Sequence, residues 1–304
     1  MRSRAARTVS SPTGTGTRNT PNTGQHRLLS IMAPFQNLCL ALLSLSVTTA
    51  FVAPCVRQNV AGTARSAHSA RATGLEMVYG KVFVAGGSKG VGRAIIDKLV
   101  EQGSEVVALV RREDAKTELD AIKGVSAVVC DALDLKGVEA VLDGCDAAIT
   151  TLGGVPDGDE TKRVDYAGNR NVIESAGILG ITRVVMVTSV GCGSSREAIS
   201  DKVYEVLEKA LKAKTLAENM LLKYYTNSEW TIIRPGGLKS DAATGTAILT
   251  EDTKAAGVVN RADVADLAVQ ALNSPSTVRK ILTAVDPDVQ SEYAGGEKPT
   301  AFAL

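Results

Sequence analysis

The stretch Lys81 to Gly103, KVFVAGGSKGVGRAIIDKLVEQG, leaves this chain few folds to choose from. A short apolar run, Lys81 to Ala85, breaks into Gly86, Gly87, Ser88, Lys89, Gly90, Val91 and Gly92, and a helical pattern follows through Ile95, Ile96, Leu99 and Val100. This is a strand, a glycine turn and a helix start. Each glycine answers a separate need: Gly86 turns tightly off the strand end, Gly90 lets backbone approach a pyrophosphate, and Gly92 lets the helix pack close to the sheet. The phosphates then sit over the free N–H groups at the helix N-terminus, where Ser88, Lys89 and Val91 flank them. A bare glycine triplet specifies only a turn; the strand before it and the amphipathic helix after it are what point to a dinucleotide.

The same alternation continues downstream. Strand-like runs recur at Val82 to Ala85, Glu105 to Val110, Val125 to Cys130, Ala147 to Thr151, Arg183 to Thr188, Trp230 to Arg234 and Lys280 to Val285, with helical patterns between most of them. Short continuous apolar strands separated by helices imply a parallel sheet covered on both faces. The expectation is a doubly wound α/β Rossmann fold of about seven strands, a single domain over residues 77–304. Its 229 residues from Glu76 onward are enough for one sizeable core.

Ligands of such sheets bind beyond the carboxyl ends of the strands. The second strand ends in Arg111 and Arg112, where an acid would bind the ribose hydroxyls of NAD and an Arg accommodates the extra phosphate of NADP. Glu113 and Asp114 follow but do not occupy the tip, and Lys89 adds positive charge near the same phosphate, so the pattern predicts NADP(H) in preference to NAD(H). The third strand ends in Cys130 and Asp131, with Asp131 placed to accept from an adenine amino group and Ala132 beside it at the cofactor; the fourth reaches Thr150, Thr151, Leu152, Gly153 and Gly154. Pro156 to Glu160 reads as a solvated acidic turn, and a helix is expected from about Val164 to Leu179. Leu238 to Val259 is expected to form much of a lid, and Arg261 and Asp263 to anchor the helix that begins there rather than contact a ligand.

The first third of the chain has a different grammar. No Asp or Glu precedes Glu76, while the first 75 residues hold eight Arg and no Lys. Removing those 8 from 34 basic residues leaves 26 against 33 acidic ones, so the remainder is mildly acidic and lacks the electrostatic footprint of a nucleic-acid binder. Residues 1–31 have the composition of a disordered or untranslated extension, with translation beginning at Met32. Met32 to Ala50 reads as a signal peptide whose apolar run is too short to span a bilayer, and residues 51–76, rich in Ser, Ala and Arg, as a transit-like segment. The pair resembles the two-part presequences that deliver proteins to plastids of secondary endosymbiotic origin. Both His residues, His26 and His68, fall in this region, so the mature chain is expected to have no His base and no His-ligated metal. Cys130 and Cys145 read as structural thiols; Cys192 follows a strand end near the expected site.

Taken in order, GGSKGVG, the basic strand tip, VDYAGNRNVIESA, VVMVTSVG and TIIRPGGL resemble the short-chain dehydrogenase/reductase superfamily over nearly all of residues 79–286. TSVGCGSS, LKAKTLAENML and RADVADLAVQAL are similar to its atypical, NmrA-like branch with plastid relatives. The resemblance implies hydride transfer by a Ser, a Tyr and a Lys four residues after that Tyr. Ser189 matches the Ser and Lys214 the Lys, but the Tyr position is Ala210. Lys214 also has a second family role, binding the nicotinamide ribose, and Pro235, Gly236 and Gly237 match the turn beside the nicotinamide. Tyr204 is the nearest phenol, ten residues before Lys214, reaching the site only if the helix begins late. Two functions follow: an NADP(H)-dependent plastid reductase of an unidentified small molecule, or an NADP(H)-binding sensor or assembly factor with a protein partner; an epimerase or dehydratase is the weaker third. No transmembrane segment is expected in the mature protein.

Overall fold

The structure is a computed structural model and describes residues 78–154, 159–289 and 298–304. The expected extension, signal and transit-like segments, His26, His68 and the start of the acidic turn lie outside these residues.

All seven expected strands are present: β1 (Lys81–Ala85), β2 (Glu105–Val110), β3 (Val125–Val129), β4 (Ala147–Thr150), β5 (Arg183–Val187), β6 (Glu229–Pro235) and β10 (Lys280–Val285). Three short ones join them, β7 (Gly237–Lys239), β8 (Ile248–Thr250) and β9 (Val258–Asn260). The main sheet runs β3-β2-β1-β4-β5-β6-β10-β8, parallel except for β8, which pairs antiparallel to β10. The order reverses between β1 and β4, the switch point at which open α/β sheets hold ligands. Leu238 to Val259, the segment expected as a lid, delivers β8 to the sheet edge and pairs β9 with β7.

Alternation along β1 builds the two layers. Val82 and Val84 enter a core with α1 (Gly90–Glu101) and α6 (Arg261–Asn273), whereas Phe83 and Ala85 face α3 (Leu135–Leu142) and α4 (Asn169–Leu179). A third cluster seats α5 (Asp201–Tyr224) through Ala217 and Leu221 on Met186 and Ile232. The remaining helix, α2 (Glu113–Asp120), buries only Ala115 and Leu119, and β3 forms a half-exposed edge. Arg183, 1% exposed, spends its guanidinium on carbonyls at the end of α6, with Nε donating to Leu272 O at 2.9 Å. Such a buried cation is tolerable because every face of it meets an acceptor.

Candidate cofactor and substrate site

The glycine turn meets its geometric demands one by one. Gly86 has φ +87° and Gly90 φ +63°, backbone that L side chains rarely adopt. A Cβ on Gly92 would lie 2.4 Å from Gly86 O, so only glycine lets α1 start this close to β1. At Gly90 the Cβ direction is open, with Arg261 3.7 Å away. No acidic side chain sits in the first turn of α1, and its N-cap Lys89 makes no side-chain cap, so the first-turn amides keep their hydrogen-bonding capacity for a ligand.

These amides open into a cavity of about 490 Å³ across the switch point. Gly86, Ser88, Lys89 and Gly90 line one end, Val110, Arg111 and Ala132 another, and Thr151, Leu152 and Gly153 the β4 side. Val91 and Gly92 are buried beneath it. The two arginines of the β2 tip divide: Arg111 lines the cavity and makes no ion pair among the described residues, whereas Arg112 pairs with Asp114 at 2.9 Å and is 71% exposed. Asp131 is exposed and accepts from Leu133 N at 3.0 Å; its neighbour Ala132 supplies the cavity wall.

Arg261 adds a second position to its expected anchoring role. It does tie α6 to the segment after β7, donating to Ser240 Oγ at 2.7 Å, but it also lines the cavity opposite Gly90. Its position was a clue: a cation in the first turn of a helix opposes the helix dipole unless an anion lies nearby. Asp263 anchors as expected, accepting from Thr244 N and Gly245 N at 3.0 Å and 2.9 Å. Asp286 completes that anchor. Burial works against its charge, but hydrogen bonds from Thr244, the Asp288 amide, Thr246 and the Val289 amide outweigh it and hold its carboxyl below the ordinary value.

At the β4 end, Lys214 of α5 donates to Leu152 O at 3.0 Å and stands 3.5 Å from Asp165 Oδ1. Asp165 lies in the single π-turn Val164–Gly168 that leads into α4, is 1% exposed, and also accepts from Gly154 N at 3.0 Å and Arg163 Nη2 at 2.8 Å. The sequence reading gave Asp165 no role: it stands among polar residues, TKRVDYAGNRN, where no periodicity singles it out.

Ser189 follows β5 and lines a smaller cavity of about 230 Å³ together with Pro235, Gly236 and Gly237. Tyr204 does not join them. It stacks against Arg196, 3.9 Å from guanidinium carbon to ring centroid, and lines a third cavity with Lys212 and Thr215. Helix α5 begins at Asp201, before Tyr204, so ten helical residues separate Tyr204 from Lys214 by about 15 Å along the axis. Ala210 shares the face of Lys214, and among the described residues no phenol lines the Ser189 cavity. Cys192 is fully buried with its thiol pushed up to about 12 by burial and by Glu218, and Cys145 is pushed up to about 11, again by burial first. Neither has thiolate character. The Arg234–Glu218 pair beside Cys192 is equally buried, 2.7 Å at its closer contact. Among the described residues no cluster could hold a metal ion, and no helix is long and apolar enough to cross a membrane.

The profile of the NAD(P)H-binding family matches residues 86–275, from the first glycine of the turn to beyond α6. The chain belongs to that family. This NAD(P)H-binding chain is 32% identical over 231 residues to the "uncharacterized sugar epimerase YhfK" of Bacillus subtilis, covering 74% of its own length and 98% of that protein's. An uncharacterized chloroplastic protein of Arabidopsis thaliana is 34% identical over 216 residues, which cover 67% of this chain and 76% of that one. Among solved structures, ChuY, described as an anaerobillin reductase from Escherichia coli O157:H7, superposes with a TM-score of 0.63 at 33% identity, over 69% of this chain and 99% of its own. The family is thus the atypical, NmrA-like branch of the short-chain dehydrogenases/reductases.

Proposed function

We propose that this NAD(P)H-binding protein is a plastid reductase that holds NADP(H) in the cavity at the glycine turn, in preference to NAD(H), and passes hydride to an acceptor beside Ser189. The observation that carries the cofactor preference is the cavity's charge: Lys89, Arg111 and Arg261 line it and no carboxylate does. In this reading the first-turn amides of α1 bind the pyrophosphate, Arg111 pairs with the additional phosphate, and Lys214, steadied by Asp165 and Leu152 O, binds the nicotinamide ribose. When bound, NADPH supplies the hydride. The likeness to a bacterial reductase structure supports the activity, and the chloroplastic relative supports delivery to a plastid.

Calorimetric titration with NADPH and NADH, followed by NADPH oxidation against electron acceptors, tests the reading. Tighter NADPH binding with steady oxidation is expected; equal affinity for both cofactors would refute the preference. Ala210 favours one competing reading, an NADP(H)-binding sensor or assembly factor, because the family's proton donor is missing there. Under that reading NADPH binds tightly and no acceptor oxidises it.

A further inference from the structure

If the protein is a reductase, as proposed, the smaller cavity narrows its acceptor, and the choice of acceptor rests on that reading. The walls of this cavity are Ser189 and Val190 after β5, Ile199, Val203 and Leu207 at the start of α5, and the facing backbone of Pro235–Gly237 and Ala256–Gly257. None of these side chains titrates. Three of the wall's backbone donors are committed elsewhere: Val190 N to Pro235 O, Gly236 N to Ala284 O and Gly237 N to Gly257 O, each at 2.9 Å. Among the lining side chains the one donor is the Ser189 hydroxyl, which rests on Val190 O at 3.0 Å. Val203, Leu207, Ala210 and Lys214 recur at spacings of four, three and four, so a single face of α5 carries this apolar lining and, about 10 Å along the axis from Leu207, the ammonium proposed to bind the ribose.

Such a wall selects by what it fails to satisfy. A sugar would leave several hydroxyls unpaired, at about 1–3 kcal/mol each, and a charged substrate would fare worse. A saturated ketone would develop a localised alkoxide with no acid to protonate it. At a packing density of about 0.75, a cavity of 230 Å³ holds roughly 170 Å³ of molecule, the size of a flat two-ring compound.

We infer that the acceptor is an uncharged, hydroxyl-poor, conjugated carbonyl compound of the quinone class, bound in the Ser189 cavity and reduced without a proton from the protein. The electron count closes with components already named. Bound NADPH would supply the hydride: its C4–H bond would break, the electron pair and hydrogen would go to the quinone, and the quinone π electrons would move onto a carbonyl oxygen, leaving NADP⁺. The conjugated ring spreads the resulting anion, Ser189 Oγ turns from Val190 O to donate to that oxygen, and water delivers the proton.

The test uses menadione as the probe, with glucose and cyclohexanone as contrasts. Binding is measured by calorimetry on protein saturated with NADP⁺, where no turnover occurs, and rates are followed by NADPH absorbance. Menadione is expected to bind and to be reduced, with neither contrast doing so. Val203→Asp puts a carboxylate on the half-buried cavity wall at a helix position that tolerates it; it is expected to weaken menadione binding at least tenfold while NADPH affinity stays within twofold. Reduction of cyclohexanone or binding of glucose in place of menadione would overturn the inference, as would unchanged menadione affinity in Val203→Asp. Failure of NADPH itself to bind would instead strike the cofactor reading, so the two failures are separable.

Discussion

Replacing Asp165 by Ala is the sharpest probe of how the site is held. The carboxylate is 1% exposed and meets Lys214 at 3.5 Å, Arg163 at 2.8 Å and the Gly154 amide at 3.0 Å. Its removal strands the Lys214 ammonium, whose side chain is 13% exposed, beside an Arg163 side chain only 4% exposed. Breaking a buried pair from one side costs about 3–5 kcal/mol, because the surviving charge keeps its desolvation penalty without its partner. For a domain of this size about 2–4 °C of Tm go with each kcal/mol, so thermal denaturation should show a fall of roughly 6–20 °C. Lys214→Met is the control. It leaves Asp165 paired with Arg163 and Gly154, so stability should fall by only about 1 kcal/mol while NADPH affinity drops if Lys214 binds the ribose as proposed. The two variants thus separate holding the site from binding with it. An Asp165→Ala protein as stable as the parent, or a Lys214→Met protein with unchanged NADPH affinity, would refute this account.

Other outcomes follow from the same geometry. Arg111→Ala should weaken NADPH by about 1–3 kcal/mol and NADH little, whereas Arg112→Ala should change neither, because Arg112 is exposed and paired with Asp114; equal effects of the two substitutions would remove Arg111 as the selector. Gly90→Val should abolish nucleotide binding measured by calorimetry, since at φ +63° its Cβ would stand 3.7 Å from Arg261 on the cavity lining, and retained affinity would unseat the phosphate assignment. Ala210→Tyr should confer reduction of a simple ketone that the parent leaves untouched, by restoring a phenol four residues before Lys214; no gain despite intact NADPH binding would count against proton supply as the missing step. Cys192, raised from 9.0 to about 12 by burial and the Glu218 charge, is protonated in the fold, so its contribution to stability is intact below pH 9 and is lost between about pH 9 and 12. Denaturation midpoints of Cys192→Ala and parent should converge across that window, and the folded parent should resist iodoacetamide at Cys192 near neutral pH.

Much of the cofactor end was legible because its constraints are local. Gly86, Gly90 and Gly92 each need glycine for a reason confined to one strand end and one helix start, and Arg111 and Thr151 to Gly153 follow strands that announce themselves by apolar runs. Five of the residues expected at the cofactor stand outside this cavity's lining: Arg112 pairs with its neighbour Asp114, Asp131 accepts from Leu133 N, and Pro235 to Gly237 line the smaller cavity. A side chain of two or three rotatable bonds at a strand tip can satisfy itself nearby or reach a ligand, and spacing does not decide between them.

What the sequence determined by itself was the unit that repeats, strand then turn then helix, and with it the parallel sheet, the switch point and the absence of a phenol at Ala210. These follow from periodicity and short-range sterics. The tertiary structure alone decided that Asp165 meets Lys214, that Arg261 crosses from α6 to face Gly90, that Tyr204 turns toward Arg196, and that the segment after β7 returns to the sheet edge as β8. Each is a meeting of residues from separate elements. Charges, hydroxyls and edge amides have no periodicity to mark a partner; each finds one only when the buried sheet and its two helical layers fix the elements in place and exclude the water that would otherwise serve.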